Sequence, residues 1–127
     1  KGDTLIEIKS IGPGTIRAEA PQLFDTGTDL FGAWNNIRRP FGTHILQGQM
    51  YLELAQRMYG EDAPKEIVFL YELKADQDYK EFTVKADYEI GSRIFFAVKK
   101  LIKAVEQSTM PDCNVSLEGC KSCNLIS

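Results

Sequence analysis

Residues 4–10, Thr4-Leu5-Ile6-Glu7-Ile8-Lys9-Ser10, alternate as a half-buried strand does. Residues two apart in an extended chain share a face. The alternation therefore predicts a strand with Thr4, Ile6 and Ile8 turned into a core and with Glu7 and Lys9 projecting together. Ile11-Gly12-Pro13-Gly14 breaks it, and residues 15–28, which hold Pro21 and Gly27, read as irregular apart from a short strand at 15–18. Residues 29–38 place Leu30, Phe31, Trp34 and Ile37 on one side of a short helix, which Pro40 ends.

Thr43 is suited to cap a longer helix that runs to about Tyr59, with Gly60 at its C-terminus. Its expected core stripe is Leu46, Met50, Leu54 and Met58. A second stripe carries His44, Gln47 and Tyr51, so these three share a face as well. Residues 67–73 form a nearly continuous apolar run, the pattern of a central strand covered on both faces. Asp76-Gln77-Asp78 is turn chemistry, and residues 79–84 alternate as the partner strand of a hairpin. Asp87 caps a last amphipathic helix, ending near Gln107, with an expected buried face of Ile90, Ile94, Phe95, Val98, Leu101, Ile102 and Val105. Its outer face carries Arg93, Lys99, Lys100 and Lys103. Beyond Pro111 the chain reads as an irregular tail. The elements together predict an α/β fold, a mixed sheet flanked by helices. Residues 1–110 form the core and 111–127 the tail.

Composition narrows this little. A chain of 127 residues that is 43% hydrophobic and 26% charged has the size and balance of one globular domain. The net charge of −3 argues against indiscriminate nucleic-acid binding, though not against a nuclease, whose metal-binding carboxylates are themselves negative. No apolar run reaches membrane-spanning length and no signal-peptide pattern is present, so no membrane partner and a cytosolic location are expected. The chain starts on Lys1 and runs almost at once into a strand, which reads as a fragment or a processed product. Its three cysteines, Cys113, Cys120 and Cys123, all lie in the tail and do not make a secreted disulfide framework. Three thiols are one short of a closed tetrahedral metal site, so ligands and unliganded thiols are both open readings.

The candidate chemistry lies on two elements. A carboxylate beside a lysine on a rigid strand can hold a divalent cation and place a water for phosphodiester attack. Glu7-Ile8-Lys9 has that form, and the helix with His44, Gln47 and Tyr51 follows about forty residues later. Taken alone, Glu7 and Lys9 read equally as an ion pair on a solvated sheet face, worth under about 1 kcal/mol. Gln47 and Tyr51 alone read as the boundary face of a helix.

Strand, helix and buried strand in this order resemble the second half of a PD-(D/E)xK nuclease core of the RecB type, as in phage and CRISPR-associated exonucleases. The matching residues are Glu7-Ile8-Lys9 and Gln47-Gly48-Gln49-Met50-Tyr51 preceded by His44. The segments Phe69-Leu70-Tyr71-Glu72-Leu73-Lys74 and Lys80-Glu81-Phe82-Thr83-Val84 complete the match. The resemblance implies a restriction-endonuclease-like core and metal-dependent DNA hydrolysis in phage or bacterial recombination or repair. The location implied is the cytoplasm of a bacterium or an infected host cell.

Residue by residue, the resemblance implies that Glu7 and the Ile8 carbonyl ligate magnesium or manganese and that Lys9 activates the attacking water. Gln47 and Tyr51 would hold the lysine or the DNA backbone. By residue type and position, His44 reads as a polar residue of the helix N-terminus or a DNA-backbone contact, and Lys74 as part of a polar hairpin tip or a DNA-phosphate contact. The family's first metal-binding aspartate lies on a preceding strand, so the N-terminal part of the fold would come before Lys1 or from another subunit. Asp3 is the nearby acid within the chain. The tail partly matches the family's C-terminal cysteine trio, which implies an iron–sulfur cluster on Cys113, Cys120 and Cys123. A second reading from another class is a non-catalytic DNA-binding or protein-interaction module with a metal-binding tail; a degenerate nuclease is a third.

Overall fold

A computed structural model describes residues 3–110. The expected tail and its cysteines, Cys113, Cys120 and Cys123, lie outside the described residues. The elements run β1 (Thr4–Ile11), α1 (Pro13–Glu19), a 3-10 turn (Pro21–Phe24), α2 (Leu30–Asn35), α3 (Gly42–Tyr59), a second 3-10 turn (Gly60–Asp62), β2 (Glu66–Leu73), β3 (Tyr79–Lys85) and α4 (Tyr88–Glu106). The three strands form one mixed sheet in the order β1-β2-β3. β1 runs parallel to β2, with Glu7 opposite Phe69 and Lys9 opposite Tyr71, and β2 pairs antiparallel with β3. The α/β prediction therefore holds. The parallel β1–β2 pair requires a crossover, which α1, α2 and α3 supply.

One face of the sheet carries the core. Ile67, Phe69, Tyr71 and Leu73 of β2 are buried together with Ile11, Trp34, Phe41 and Leu52. The opposite face is only half covered at Val68 and Leu70, so β2 is sealed on one side rather than both. The orientation of β1 reverses the expectation. Ile6 and Ile8 are 70% and 65% exposed, while Leu5, Glu7, Lys9 and Ile11 take the covered face. Alternation identifies which residues share a face, but the hydrophobicity of Ile6 and Ile8 does not decide which face is covered: Leu5 and Ile11, at either end of the strand, anchor the side that carries the charges.

α3 is turned in the same sense. Its buried residues are Gly48, Gln49, Leu52, Glu53 and Ala55, whereas Leu46 and Met58 of the expected core stripe are exposed. Gly48 explains the close approach to the sheet: a Cβ there would lie 2.6 Å from the Phe69 ring and 3.3 Å from Ile67. Gln49 ties the helix to the β3–α4 junction, donating to the Lys85 carbonyl at 2.9 Å and accepting the Asp87 amide at 2.7 Å. The Thr43 hydroxyl donates to Glu19 at 2.8 Å instead of capping the helix, and Phe41 occupies the cap position. Gly60, with φ of 59°, closes the C-terminus as its sequence position suggested.

Residues 15–18 are helical rather than extended, since Pro13 sits in the first turn of α1, where its ring already has helical φ. Asp29 caps α2 by accepting the Gly32 amide at 2.8 Å. Trp34 then reaches the β2–β3 turn, its indole N–H donating to Asp78 at 2.8 Å. Lys80 crosses the Trp34 ring at 5.3 Å and donates to the Ile37 carbonyl at 3.1 Å. Burial, with Arg38 adding to it and Asp78 opposing, lowers the pKa of Lys80 below its ordinary value.

The chain divides into two compact units, Lys1–Phe95 and Phe96–Ser127, with the sheet wholly in the first. In the first unit, Ile90, Ile94 and Phe95 of α4 are half-buried. In the second, Val98, Leu101, Ile102 and Val105 are exposed, which corrects their expected burial. An apolar stripe identifies the face a helix can bury, not whether another element covers it.

Candidate functional site

β1 presents Glu7 and Lys9 on the face that meets α3, side by side as period two requires. The Lys9 ammonium lies 3.0 Å from the Glu7 carboxylate, and both side chains are about a quarter exposed, at 22% and 25%. The same ammonium donates to Oε1 of Gln47 at 2.5 Å. Lys9 is thus held between a carboxylate on its own strand and an amide on a helix 38 residues away. A charge-assisted bond of this kind is among the stronger side-chain contacts, and it restricts a flexible four-carbon stem to one direction.

A second bridge lies beside the first. His44, one turn before Gln47 on α3, brings Nδ1 to 2.5 Å from the hydroxyl of Tyr71, the residue paired with Lys9 across the sheet. The Tyr71 hydroxyl also accepts the Phe41 amide at 2.9 Å. Burial pushes the Tyr71 phenol up to about 12; the Phe41 amide works against that rise and the Glu19 charge adds to it. The pKa of His44 is lowered, first by burial and then by the Lys9 charge, with Glu19 and Glu7 opposing. Both lowering effects favour the neutral imidazole over the imidazolium. Phe41, His44, Tyr71 and Phe82 meet edge-on or tilted, with ring centroids 5.4 to 5.5 Å apart.

Tyr51 and Glu7 line one side of a cavity of about 240 Å³, together with Leu5, Met58, Tyr59 and Ile67. Tyr51 also packs against the apolar core. The structure thus brings Glu7, Lys9, Gln47, His44 and Tyr51 to the interface of β1 and α3. Lys74 is placed elsewhere. Its amide donates to the Ile11 carbonyl at 2.9 Å, and its side chain runs past Gly12 at the start of α1. The Ile8 side chain faces away from the site, leaving its backbone carbonyl as the group in question.

Tyr71 is the site residue that sequence reasoning missed. It reads as one more large residue in the apolar run of β2. The available signal was its hydroxyl, which must find a partner once the strand is buried. Among the described residues, no three Asp, Glu, His or Cys side chains converge as a metal-holding cluster, and Asp3 lies in a bend just before β1. No helix among the described residues is long and apolar enough to cross a membrane. No family model, curated protein or solved structure matches the chain.

Proposed function

We propose that this chain carries part of the active site of a divalent-metal-dependent deoxyribonuclease, acting as an exonuclease in phage or bacterial DNA recombination, on a restriction-endonuclease-like core. The observation that supports the reading best is the clamp on Lys9. Glu7 and Lys9 on a strand and Gln47 on the following helix have the order and residue types that the RecB-type resemblance implies, and their side chains meet. An ordinary surface ion pair needs no third residue reaching 38 positions along the chain.

The donors suit a hard cation in kind. Glu7 offers carboxylate oxygens and Ile8 a backbone carbonyl, and magnesium takes one or two carboxylates while keeping waters and substrate phosphate oxygens as its other ligands. Glu7 and Ile8 would hold magnesium or manganese, with a further acid from a segment before Lys1 or from another subunit. When bound, the ion supplies Lewis-acid stabilisation of the phosphate and a lowered pKa for the attacking water. Lys9 offsets the negative charge that grows on the phosphate oxygens as the bond to water forms. Gln47 fixes the direction of that ammonium, and Tyr51 borders the same face. His44 and, farther along, Lys74 contact the DNA backbone. In this reading Cys113, Cys120 and Cys123 would supply thiolate ligands to an iron–sulfur cluster.

The test is cleavage of linear DNA by the full-length protein with magnesium, comparing the parent with Glu7→Ala and Lys9→Ala. Loss of cleavage in both variants, with circular dichroism unchanged, supports the reading. Parent-like cleavage in either overturns it. Purified protein that contains no iron removes the cluster from it.

A further inference from the structure

We propose that Tyr71 is a positioning residue for His44: its hydroxyl, oriented by the Phe41 amide, holds the imidazole in the Nε2–H tautomer, so that an uncharged donor faces a phosphate oxygen of the bound strand. The tautomer follows from hydrogen-bond accounting. A phenol has one proton to give and lone pairs to receive. The Phe41 amide can only donate, so at 2.9 Å it uses one lone pair of the Tyr71 oxygen. Tyr71 is fully buried, and Nδ1 of His44 is the remaining partner of its hydroxyl among the described residues.

Two arrangements are conceivable. If Nδ1 carried the proton, the phenol would accept twice and its own proton would be left buried without an acceptor. If Nδ1 is bare, the phenol donates to it and every group is used. Leaving a buried hydroxyl proton unmet costs its full desolvation, so the second arrangement wins. Protonation of both ring nitrogens is opposed by burial and by the Lys9 charge. The imidazole proton therefore sits on Nε2.

Nε2 has no hydrogen-bond partner among the described residues, yet the described residues include no buried side-chain nitrogen or oxygen lacking one. Nε2–H is thus not sealed from solvent, which leaves it as the donor a ligand can meet. His44 lies one helical turn from Gln47, whose amide holds Lys9, so the neutral donor and the ammonium occupy adjacent positions on one surface. A phosphodiester presents two unesterified oxygens, and a cation beside a neutral donor suits them without adding a second buried charge. The assignment of phosphate as ligand rests on the nuclease reading of Glu7 and Lys9; the tautomer does not.

His44 is the chain's one histidine, so long-range proton–nitrogen correlation spectra of uniformly 15N-labelled protein report this ring alone. In the parent above neutral pH, Nδ1 is expected to show the shift of an unprotonated nitrogen and Nε2 that of a protonated one. A protonated Nδ1 overturns the proposal with no variant needed. Tyr71→Phe keeps the ring and removes the hydroxyl, and is expected to give a mixture of tautomers. An unchanged single Nε2–H tautomer in that variant overturns the positioning role.

Adding a short single-stranded oligonucleotide should shift the Nε2 resonance in the parent; no shift at saturating oligonucleotide overturns phosphate as ligand. Failure here and failure of the nuclease reading are separable. An Nδ1–H tautomer in a protein whose cleavage depends on Lys9 removes only the present inference. An Nε2–H tautomer in a protein whose cleavage ignores Lys9 removes the nuclease and phosphate as ligand, and leaves the positioning of His44 by Tyr71 standing.

Discussion

Lys9 and Tyr71 face each other across the parallel β1–β2 pair, and each is joined to α3, Lys9 through Gln47 and Tyr71 through His44. Two sheet residues in register thus meet two helix residues one turn apart. The strand spacing of about 4.7–4.9 Å and the rise of roughly 4.5 Å over three helical residues are close enough for both bridges to form at once. This doubled contact distinguishes the site from an isolated surface ion pair.

The first bridge should matter for rate more than for folding. Gln47→Ala leaves the Lys9 ammonium paired with Glu7 but free to turn. Loss of this fixation should lower kcat by roughly 10- to 100-fold, or about 1.4–2.7 kcal/mol of transition-state stabilisation. Steady-state cleavage of linear DNA checks this, alongside a circular dichroism spectrum that should match the parent.

Gly48 sets the distance at which both bridges close. Gly48→Ala places a methyl against Phe69 and Ile67, where the ring would stand at 2.6 Å. Overpacking of this kind costs about 1–3 kcal/mol. Because α3 must move off the sheet, DNA cleavage should fall together with the urea midpoint. A variant with parent-like stability and rate would show that α3 can shift without disturbing Lys9 and Gln47.

Acid should weaken the folded state through His44. Its folded pKa is below the ordinary 6.5, chiefly because burial disfavours the imidazolium. As pH falls from neutral, the unfolded chain takes up this proton first, so stability is complete above 6.5 and is lost from there down to the lowered folded value. His44→Gln removes that contribution. Urea unfolding at a series of pH values should show a steeper acid decline in the parent than in the variant.

Trp34 joins α2 to the β2–β3 turn and is 1% exposed. Removing it empties the largest side chain of the core and ends its bond to Asp78. Trp34→Ala should cost about 3–5 kcal/mol, a large part of the total stability of a small domain. Thermal unfolding followed by circular dichroism would register this as a markedly lower Tm.

The sequence made the elements legible more readily than their faces. The spans of α3 and of the β2–β3 hairpin follow from Gly60, from the turn residues Asp76 to Asp78, and from periodicity. That Glu7 and Lys9 share a face follows from the geometry of a strand, and that His44, Gln47 and Tyr51 share one follows from that of a helix. Which faces meet depends on contacts between elements far apart in sequence. Here the charged face of β1 and the mixed face of α3 turn toward each other, while Ile6, Ile8, Leu46 and Met58 stay largely exposed. Small residues gave the available hint, since Gly48 and Ala55 mark the side of α3 that can approach a sheet closely. Tyr71 stayed hidden because its role depends on its register with Lys9, which no local pattern encodes.

The most direct test of the central claim is the rate at which full-length protein carrying Lys9→Met degrades linear DNA at saturating magnesium. Methionine keeps much of the lysine stem and removes its charge. If Lys9 stabilises the phosphate as charge develops, the rate should fall by roughly 100-fold or more, while the urea midpoint drops only modestly through the lost contacts to Glu7 and Gln47. Cleavage at the parent rate would contradict the nuclease account and leave Glu7, Lys9 and Gln47 as a structural clamp between β1 and α3.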